Sequence, residues 1–545
     1  MSFDRAAALR RLADERFDVL VVGGGITGAG VALDAATRGL SVALVERDDF
    51  ASGTSSKSSK LVHGGLRYLQ QREVRLVYEA LAERQVLRRT APHLVRVLPF
   101  LLPVFTRDGL LPRRLARALG SVMWMYDLTG GLRIGKLHRR VSKDEALAYM
   151  PTLPAERLAA SYVYYDAQAD DARLTLAIAR TAADHGAAVT NYTRLVGLDK
   201  DAAGRVSAAR IVADGAELTV RADAVVNATG VWADDVRALD EGAHPRSIRP
   251  AKGVHITVPW SKVRNEIAVV VPVPKDRRSV FVVPWGDFTY VGTTDTDHDG
   301  PLDDPRCTPD DVEYLLRAIN HSLVEPLGTA DVLATWAGLR PLVRDAGSRR
   351  TADLSRKHSV HRSGSGVVTV TGGKLTTYRR MAADAVDEVV TFLGRGGRSR
   401  TKRLPVHGAA GCDARDLDPA LAARHGGDAR EVAALAAADP TLATPMVPGL
   451  PYLRAEVVHA VRTEMARTLD DVLSRRTRAR LLARDDTAAA ADDVAALMAG
   501  ELGWTPSEAA AQAASFRSVV ADERGAAHLP ETALDVLVHR PAPGA

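Results

Sequence analysis

Two cysteines, Cys307 and Cys412, in 545 residues are too few for a disulfide framework or a thiolate metal centre. They suit a reducing compartment, and no metal is expected. A formal net charge of only +5 lacks the global basicity of a nucleic-acid binder, so no nucleic-acid partner is expected. Runs of about 18 uncharged apolar residues are absent, which excludes a membrane-spanning helix. The opening MSFDRAAALRRLADERFDVLVV also lacks the apolar core of a secretory signal, so a cytoplasmic location is expected. There is no internal repeat, and the length allows about three domains. One region stands apart from this soluble pattern. Between Phe100 and Arg140, leucines and aromatics interleave with Arg107, Arg113, Arg114, Arg117, Arg133, Lys136, Arg139 and Arg140. It reads either as a helix pair with a solvated basic face or as a surface resting on anionic lipid, peripheral to the inner face of the cell membrane.

What is present begins with a nucleotide unit. The β-branched run Phe17–Val22 suits a buried parallel strand. Gly23-Gly24-Gly25-Ile26-Thr27-Gly28 follows, then an Ala-rich helix, a second strand over Ser41–Val45, and Glu46. In G-x-G-x-x-G, Gly23 permits the tight turn, Gly25 lets a pyrophosphate approach the backbone, and Gly28 allows close helix–strand packing. The helix N-terminus offers unpaired N–H groups to phosphate, and Glu46 is placed for ribose hydroxyls. This unit fits an adenine dinucleotide but does not separate NAD from FAD.

Directly after it comes Thr54-Ser55-Ser56-Lys57-Ser58-Ser59-Lys60-Leu61-Val62-His63-Gly64-Gly65-Leu66-Arg67-Tyr68-Leu69. So many hydroxyls, cations and glycines do not make a core segment; they suit the floor of a site holding a cofactor and an anion. Two distant segments belong with it. Asp223–Gly230 reads as a strand returning to the same sheet and ending in Ala228-Thr229-Gly230, preceded by a helix near 171–186 and a hairpin with an Asp214-Gly215 turn. Val367–Thr371 runs into Gly372-Gly373-Lys374 and a helix, whose N-terminal dipole is aimed at an electron-rich group and in an FAD fold would stabilise the anionic reduced flavin.

With these pieces in order, the chain resembles the FAD-dependent, aerobic respiratory glycerol-3-phosphate dehydrogenases. The resemblance rests on VVGGGITGAG, TSS-x-SSKL-x-HGGLRYL, DDARL (170–174), NATG-x-W (227–232), KG-x-H (252–255), VPW and GTTD (283–295), GLRPL (338–342) and GGKLTTYR (372–379). It implies an α/β fold: a Rossmann-type FAD-binding domain of the glutathione-reductase/D-amino-acid-oxidase kind, a β-sheet substrate cap and a C-terminal all-α domain. The FAD domain is expected over 17–85, 166–235 and 335–395, the cap over 86–165 and 236–334, and the helical domain over 404–535. Alternating runs at Ala251–Pro259, Ala268–Val273, Ser279–Pro284 and Phe288–Gly292 suggest an antiparallel cap sheet.

The expected FAD contacts are Gly23, Gly25, Ile26, Thr27, Gly28 and Glu46; Thr54, Ser55, Ser59, Lys60, Leu61 and Gly65; Ala228 and Gly230; and Gly373, Lys374, Leu375 and Thr376. A phosphorylated alcohol brings a dianion, best held by guanidinium forks. Arg67, Arg340 and Arg356 are the candidates, with Lys374 a fourth cation; Arg349 or Arg350 could replace Arg356. The implied reaction is oxidation of sn-glycerol 3-phosphate to dihydroxyacetone phosphate, with electrons passed to a quinone. A base near neutrality favours histidine, and His63 and His255 both qualify. Alternatives are a glycerophosphate oxidase making H2O2, a flavin amine or amino-acid oxidase, and a non-catalytic flavoprotein. The last finds support only in the basic stretch near Arg475–Arg480, which reads as a solvated helix face. A homodimer is compatible with the sequence.

Overall fold

A computed structural model describes residues 3–65, 73–105, 123–124, 126–127, 134–274, 276, 278–344 and 357–534. The apolar run Arg16–Val22 is a strand buried throughout from Val19 onward, as a central parallel strand must be. It lies in an eight-stranded sheet with the order His358–Arg362, Val367–Gly372, Ala216–Asn227, Arg16–Val22, Val42–Val45, Ala188–Thr190. The inner pairings are parallel, and the His358–Arg362 edge is antiparallel. Ala216–Asn227 belongs to two arrangements. Its first half closes a meander with Val206–Ala213 and Thr193–Lys200, and its second half pairs with Arg16–Val22. Asp214 and Gly215 at the meander turn have φ of 50° and 80°, the positive angles that a two-residue hairpin demands. Helices Ile26–Thr37, Asp171–Asp184 and Tyr378–Leu393 cover one face, and the meander with helix Arg5–Asp14 packs the other.

A second, ten-stranded sheet runs Thr296–Asp297, Ile248–Pro259, Phe288–Gly292, Ser279–Trp285, Ala268–Pro272, Val95–Phe105, Leu158–Ala169, Leu61–Val62. Ala334–Val343 adds to Ile248–Pro259, and Arg139–Val141 to Leu158–Ala169. The four cap strands read from alternation are all present. Three placements differ from expectation. Ala334–Val343, assigned with the FAD segment, pairs antiparallel with Ile248–Pro259 over ten residue pairs in the second sheet. Leu61–Val62 also joins that sheet. Short apolar runs declare a strand but not its sheet. Phe100–Phe105, the start of the basic–apolar region, is the end of the Val95–Phe105 strand and packs inside the second sheet. Most of the remainder of that region, 106–122, 125 and 128–133, lies outside the described residues. Among the described residues no helix is long and apolar enough to cross a membrane.

Beyond Thr401 the chain is mainly helical, with Pro419–His425, Ala429–Ala438, Arg454–Glu464, Ala491–Leu502 and Pro506–Ala526. Most of these helices close around a core that includes Val457, Leu473, Met498 and Phe516. The Arg475–Arg480 stretch is not a solvated face. Arg476 and Arg478 are buried, and Arg475 and Arg480 are mostly so. Arg475 and Arg476 pair with Asp49, Arg478 with Asp170 and Asp171, and Arg480 with Asp470 and Glu523. A basic run does not announce distant carboxylates, and for three of these arginines the acids lie more than 300 residues away.

Candidate active site

The carboxyl ends of the parallel strands and one face of the second sheet enclose a cavity of about 600 Å³. Its nucleotide end is shaped by glycines. A Cβ on Gly28 would lie 1.8 Å from the Gly23 carbonyl oxygen, and one on Gly23 (φ 108°) 2.7 Å from that of Ala228. These two glycines let turn, helix and returning strand close together. Gly25 differs: its Cβ would meet only Ser55 Oγ, at 3.1 Å. Ser55 Oγ accepts from the Ile26 N–H (2.9 Å) at the helix start. Glu46 accepts from the N–H groups of Gly24 (2.5 Å) and Asp48 (2.9 Å). Burial raises its carboxyl to about 7 although these bonds oppose the shift. Gly25→Ala is therefore expected to weaken FAD binding about tenfold, read by titration of the apoprotein, while its melting temperature stays within about 2 °C.

The serine-rich loop crosses from the first sheet to the second and is tied at each step. Thr54 Oγ1 donates to the Leu339 carbonyl (2.6 Å), and Trp336 Nε1 donates to the Ser58 carbonyl (3.2 Å). Tyr290 donates to the Ser59 carbonyl (2.8 Å), and Ser59 Oγ meets His255 Nε2 at 2.8 Å. Lys60 does not reach the cavity. Its buried ammonium donates to the Ser56 carbonyl (3.0 Å) and Asp171 (3.2 Å) beneath the loop, and burial pulls it down to about 8. Lys60 stands just before the Leu61–Val62 strand with a left-handed backbone (φ 55°), whereas Ser59 and Leu61 line the cavity.

His63 and His255 both line the cavity. His63 exchanges hydrogen bonds with Thr376 (3.2 and 3.4 Å), while the next amide, of Gly64, donates to Tyr126 (3.2 Å) and Asp166 (3.3 Å). Burial, helped by Lys374 and Arg84 and opposed by Asp166, holds the His63 ring at about 4, so it is neutral near pH 7. His255 stacks on Trp336 at 4.7 Å, and its buried Nδ1 has no hydrogen-bond partner among the described residues. Burial, with Lys60 and Arg340, keeps it well below the usual imidazole range. Arg340 donates to Asp295 Oδ1 (3.1 Å), Thr293 Oγ1 (3.2 Å) and the carbonyls of Thr294 (3.1 Å) and Lys252 (3.4 Å). His255 and Trp336 face each other across two strands, as do Gly253 and Gly338 one step along. A Cβ on Gly253 would strike the Arg340 guanidinium at 2.5 Å, and one on Gly338 the Lys57 carbonyl at 2.7 Å. The glycine pair thus makes room for the Arg340 guanidinium on one strand and for the Lys57 backbone on the other.

Of the expected residues, Gly23, Gly25, Ile26, Thr27, Glu46, Thr54, Ser55, Ser59, Leu61, Gly65, Ala228, Gly230, Gly373, Lys374, Leu375 and Thr376 also line this cavity. Gly28 stands behind the turn. Arg67 and Arg356 fall outside the described residues, as do Arg349 and Arg350.

The nucleotide end, the loop and the cation-bearing strands coincide with matched family regions. Residues 18–379 match the family described as FAD dependent oxidoreductase, and residues 399–509 match the C-terminal domain of alpha-glycerophosphate oxidase. Glycerol-3-phosphate dehydrogenase 2 of Mycobacterium tuberculosis is 41% identical over 537 residues, covering 95% of this chain and 90% of that protein. The chain belongs to the FAD-dependent glycerol-3-phosphate dehydrogenase family. The human mitochondrial glycerol-3-phosphate dehydrogenase is 40% identical over 532 residues, covering 90% of this chain and 71% of that protein. The crystal structure of the Bacillus halodurans glycerol-3-phosphate dehydrogenase complexed with FAD superposes with a TM-score of 0.75 at 30% identity, covering 95% and 96% of the two chains. FAD is the cofactor of this family, and the glycine cradle with Glu46 fits it.

Among the further cations that line the cavity, Arg278 and Lys57 lie outside the site residues expected from the sequence. Arg278 is held by Asp276 (2.8 Å) and donates to the Asp295 carbonyl (2.8 Å), so Asp295 touches both Arg278 and Arg340. Lys57 also lines the wall, and burial pulls its ammonium below the usual range. Lys57 lay within the serine run, and Arg278 beside a recognised cap strand. Outside the cavity, His425, His459 and Glu464 converge within 4.8 Å. This cluster is built for guanidinium rather than metal. Arg173 donates to Glu464 (2.7 Å) and to His425 Nδ1 (3.0 Å), and Arg180 lies 3.6 Å from Glu464.

The histidines give the dehydrogenase a signed pH dependence. Burial holds His63, His93 and His459 at about 4, so between about pH 6.5 and 4 the unfolded chain takes up protons that the folded chain refuses. Stability should fall as pH drops through that window. His407 is the reverse case: bonds to Asp184 and Asp428 outweigh burial and lift it to about 9. Its contribution is complete below about pH 6.5 and is lost as pH rises through about 9. Urea unfolding of the apoprotein against pH, with His407→Gln flattening only the alkaline limb, checks both signs.

Proposed function

We propose that this chain oxidises sn-glycerol 3-phosphate to dihydroxyacetone phosphate and passes the electrons to a membrane quinone. The observation that carries this reading is the convergence of Arg340, Lys374 and two neutral histidines on the same cavity as the FAD cradle. Arg340 and Lys374 bind the phosphate dianion, with Arg67 and Arg356 assigned to the same task. Asp295 and Thr293 hold the Arg340 fork in place before substrate arrives, which lowers the ordering cost of binding. His63 accepts the C2 hydroxyl proton, and the walls from Phe281, Leu102 and Tyr164 exclude water. FAD, when bound, supplies the two-electron acceptor for the hydride leaving C2. A phosphorylated alcohol fits this cation set better than an amino acid, whose single carboxylate needs one fork.

Anaerobic addition of glycerol 3-phosphate to the FAD-loaded protein should bleach the flavin within the dead time of hand mixing. Absence of bleaching would remove the reading. Re-oxidation should then be much faster with a short-chain ubiquinone analogue than with dissolved oxygen. Peroxide formed at the rate of substrate turnover would instead make the chain an oxidase.

A further inference from the structure

The helical domain reaches the underside of the serine loop through Arg478. Arg478 is 1% exposed, and its guanidinium donates to Asp170 (2.5 and 3.0 Å), Asp171 (2.6 Å) and the Ser474 carbonyl (2.9 Å). Asp170 caps the N-terminus of helix Asp171–Asp184 through the Arg173 N–H (3.0 Å). Asp171 is fully buried and faces the serine loop. One of its oxygens accepts from both the N–H (3.0 Å) and the hydroxyl (2.6 Å) of Ser58. The other takes Arg478, and both lie near the Lys60 ammonium (3.2 and 3.4 Å). Two carboxylates and two cations thus form a largely buried chain of four under the loop, Lys60–Asp171–Arg478–Asp170. Only one of its four members, Arg478, comes from the helical domain.

The loop it supports is the cavity floor. Ser58 and Ser59 line the cavity, the Ser58 carbonyl accepts from Trp336, and Ser59 Oγ meets His255. We propose that Arg478 is a positioning residue: through Asp171 it fixes Ser58 and Lys60, and so sets the flavin-side loop against His255 and Trp336. Without it, the adjacent carboxylates of fully buried Asp171 and part-buried Asp170 would lose their shared guanidinium, with the Lys60 ammonium left to offset them. A buried like-charge pair with one counter-ion protonates or rearranges, and either response releases Ser58. The helical domain therefore takes part in cofactor binding without touching the cavity. This inference depends on FAD binding alone, not on the substrate or the electron acceptor.

The test reads FAD affinity of the apoprotein, by quenching of FAD fluorescence, beside the melting temperature of the same apoprotein. Arg478→Met and Ser58→Ala should each weaken FAD binding, by about tenfold and about threefold, and shift the bound-flavin absorption envelope. Arg478→Lys should recover part of the loss, since it restores the charge but not the fork. The double variant Arg478→Met/Ser58→Ala should bind FAD little worse than Arg478→Met, because both cut one chain of contacts. Losses that multiply in the double variant, or a lower melting temperature with unchanged FAD affinity and spectrum, would overturn the proposal. If Arg478→Met fails to fold, Arg478→Lys takes its place in the same cycle, and multiplying losses there would again overturn it.

Discussion

Arg340→Ala is expected to lower kcat/KM for glycerol 3-phosphate by roughly 100- to 1,000-fold, almost entirely through KM. The side chain is pre-set by Asp295, Thr293 and two carbonyls, so it enters the cavity with its fork already oriented. A guanidinium that makes two charge-assisted bonds to a phosphate contributes about 3–4 kcal/mol, which converts to that range. Truncation also removes the Arg340 cation from beside the Asp295 carboxylate, whose charge opposes an incoming dianion. Arg340→Lys should restore the charge but not the fork or the bond to Asp295, and recover about tenfold. Steady-state kinetics over a wide substrate range separates the two parameters. An unaltered KM in Arg340→Ala would assign the phosphate to the other cations.

The second large effect is expected at His63. His63→Ala should slow flavin reduction in single-turnover experiments by about 100- to 10,000-fold, with apparent substrate affinity within about threefold of wild type. The ring is neutral, partly buried and fixed through its own backbone by Thr376 and through the next amide by Asp166 and Tyr126. It packs edge to face with Phe281, ring centroids 5.9 Å apart, a contact that uses no ring nitrogen. Truncation therefore removes a proton acceptor while leaving the loop anchors in place. His255→Ala provides the contrast. That ring already spends Nε2 on Ser59 and stacks on Trp336, so its loss should disturb FAD affinity as well as rate. Unchanged flavin reduction in His63→Ala, with a large loss in His255→Ala, would exchange the two roles.

The nucleotide end was readable because its requirements are local. Gly23 and Gly28 answer to atoms within one turn of chain and one returning strand, and Glu46 follows its strand directly. The Asp214-Gly215 turn is likewise a two-residue instruction. What the sequence concealed were partnerships across distance. Lys60 sits in a run of polar residues that face the cavity, yet its charge is consumed by Asp171, 111 residues away. Arg478 looks like surface until Asp170 is found beside it, 308 residues upstream. The stretch from 335 falls within the expected FAD-binding segment, and only the pairing of Ala334–Val343 with Ile248–Pro259 tells which sheet it extends. Arg278 has no unusual neighbours in sequence, and its value comes from Asp295, which it shares with Arg340.

The facing glycines, Gly253 and Gly338, make the site a fixed-length gauge. His255 and Arg340 stand on neighbouring antiparallel strands on either side of that pair, and their spacing is set by register rather than by flexible loops. Register moves one residue at a time, but an odd step would turn one of the two groups to the opposite face. The separation can therefore change only in increments of two residues, about 6.8 Å. Because His255 is tied to the serine loop through Ser59, the same register sets how far that loop stands from the Arg340 guanidinium.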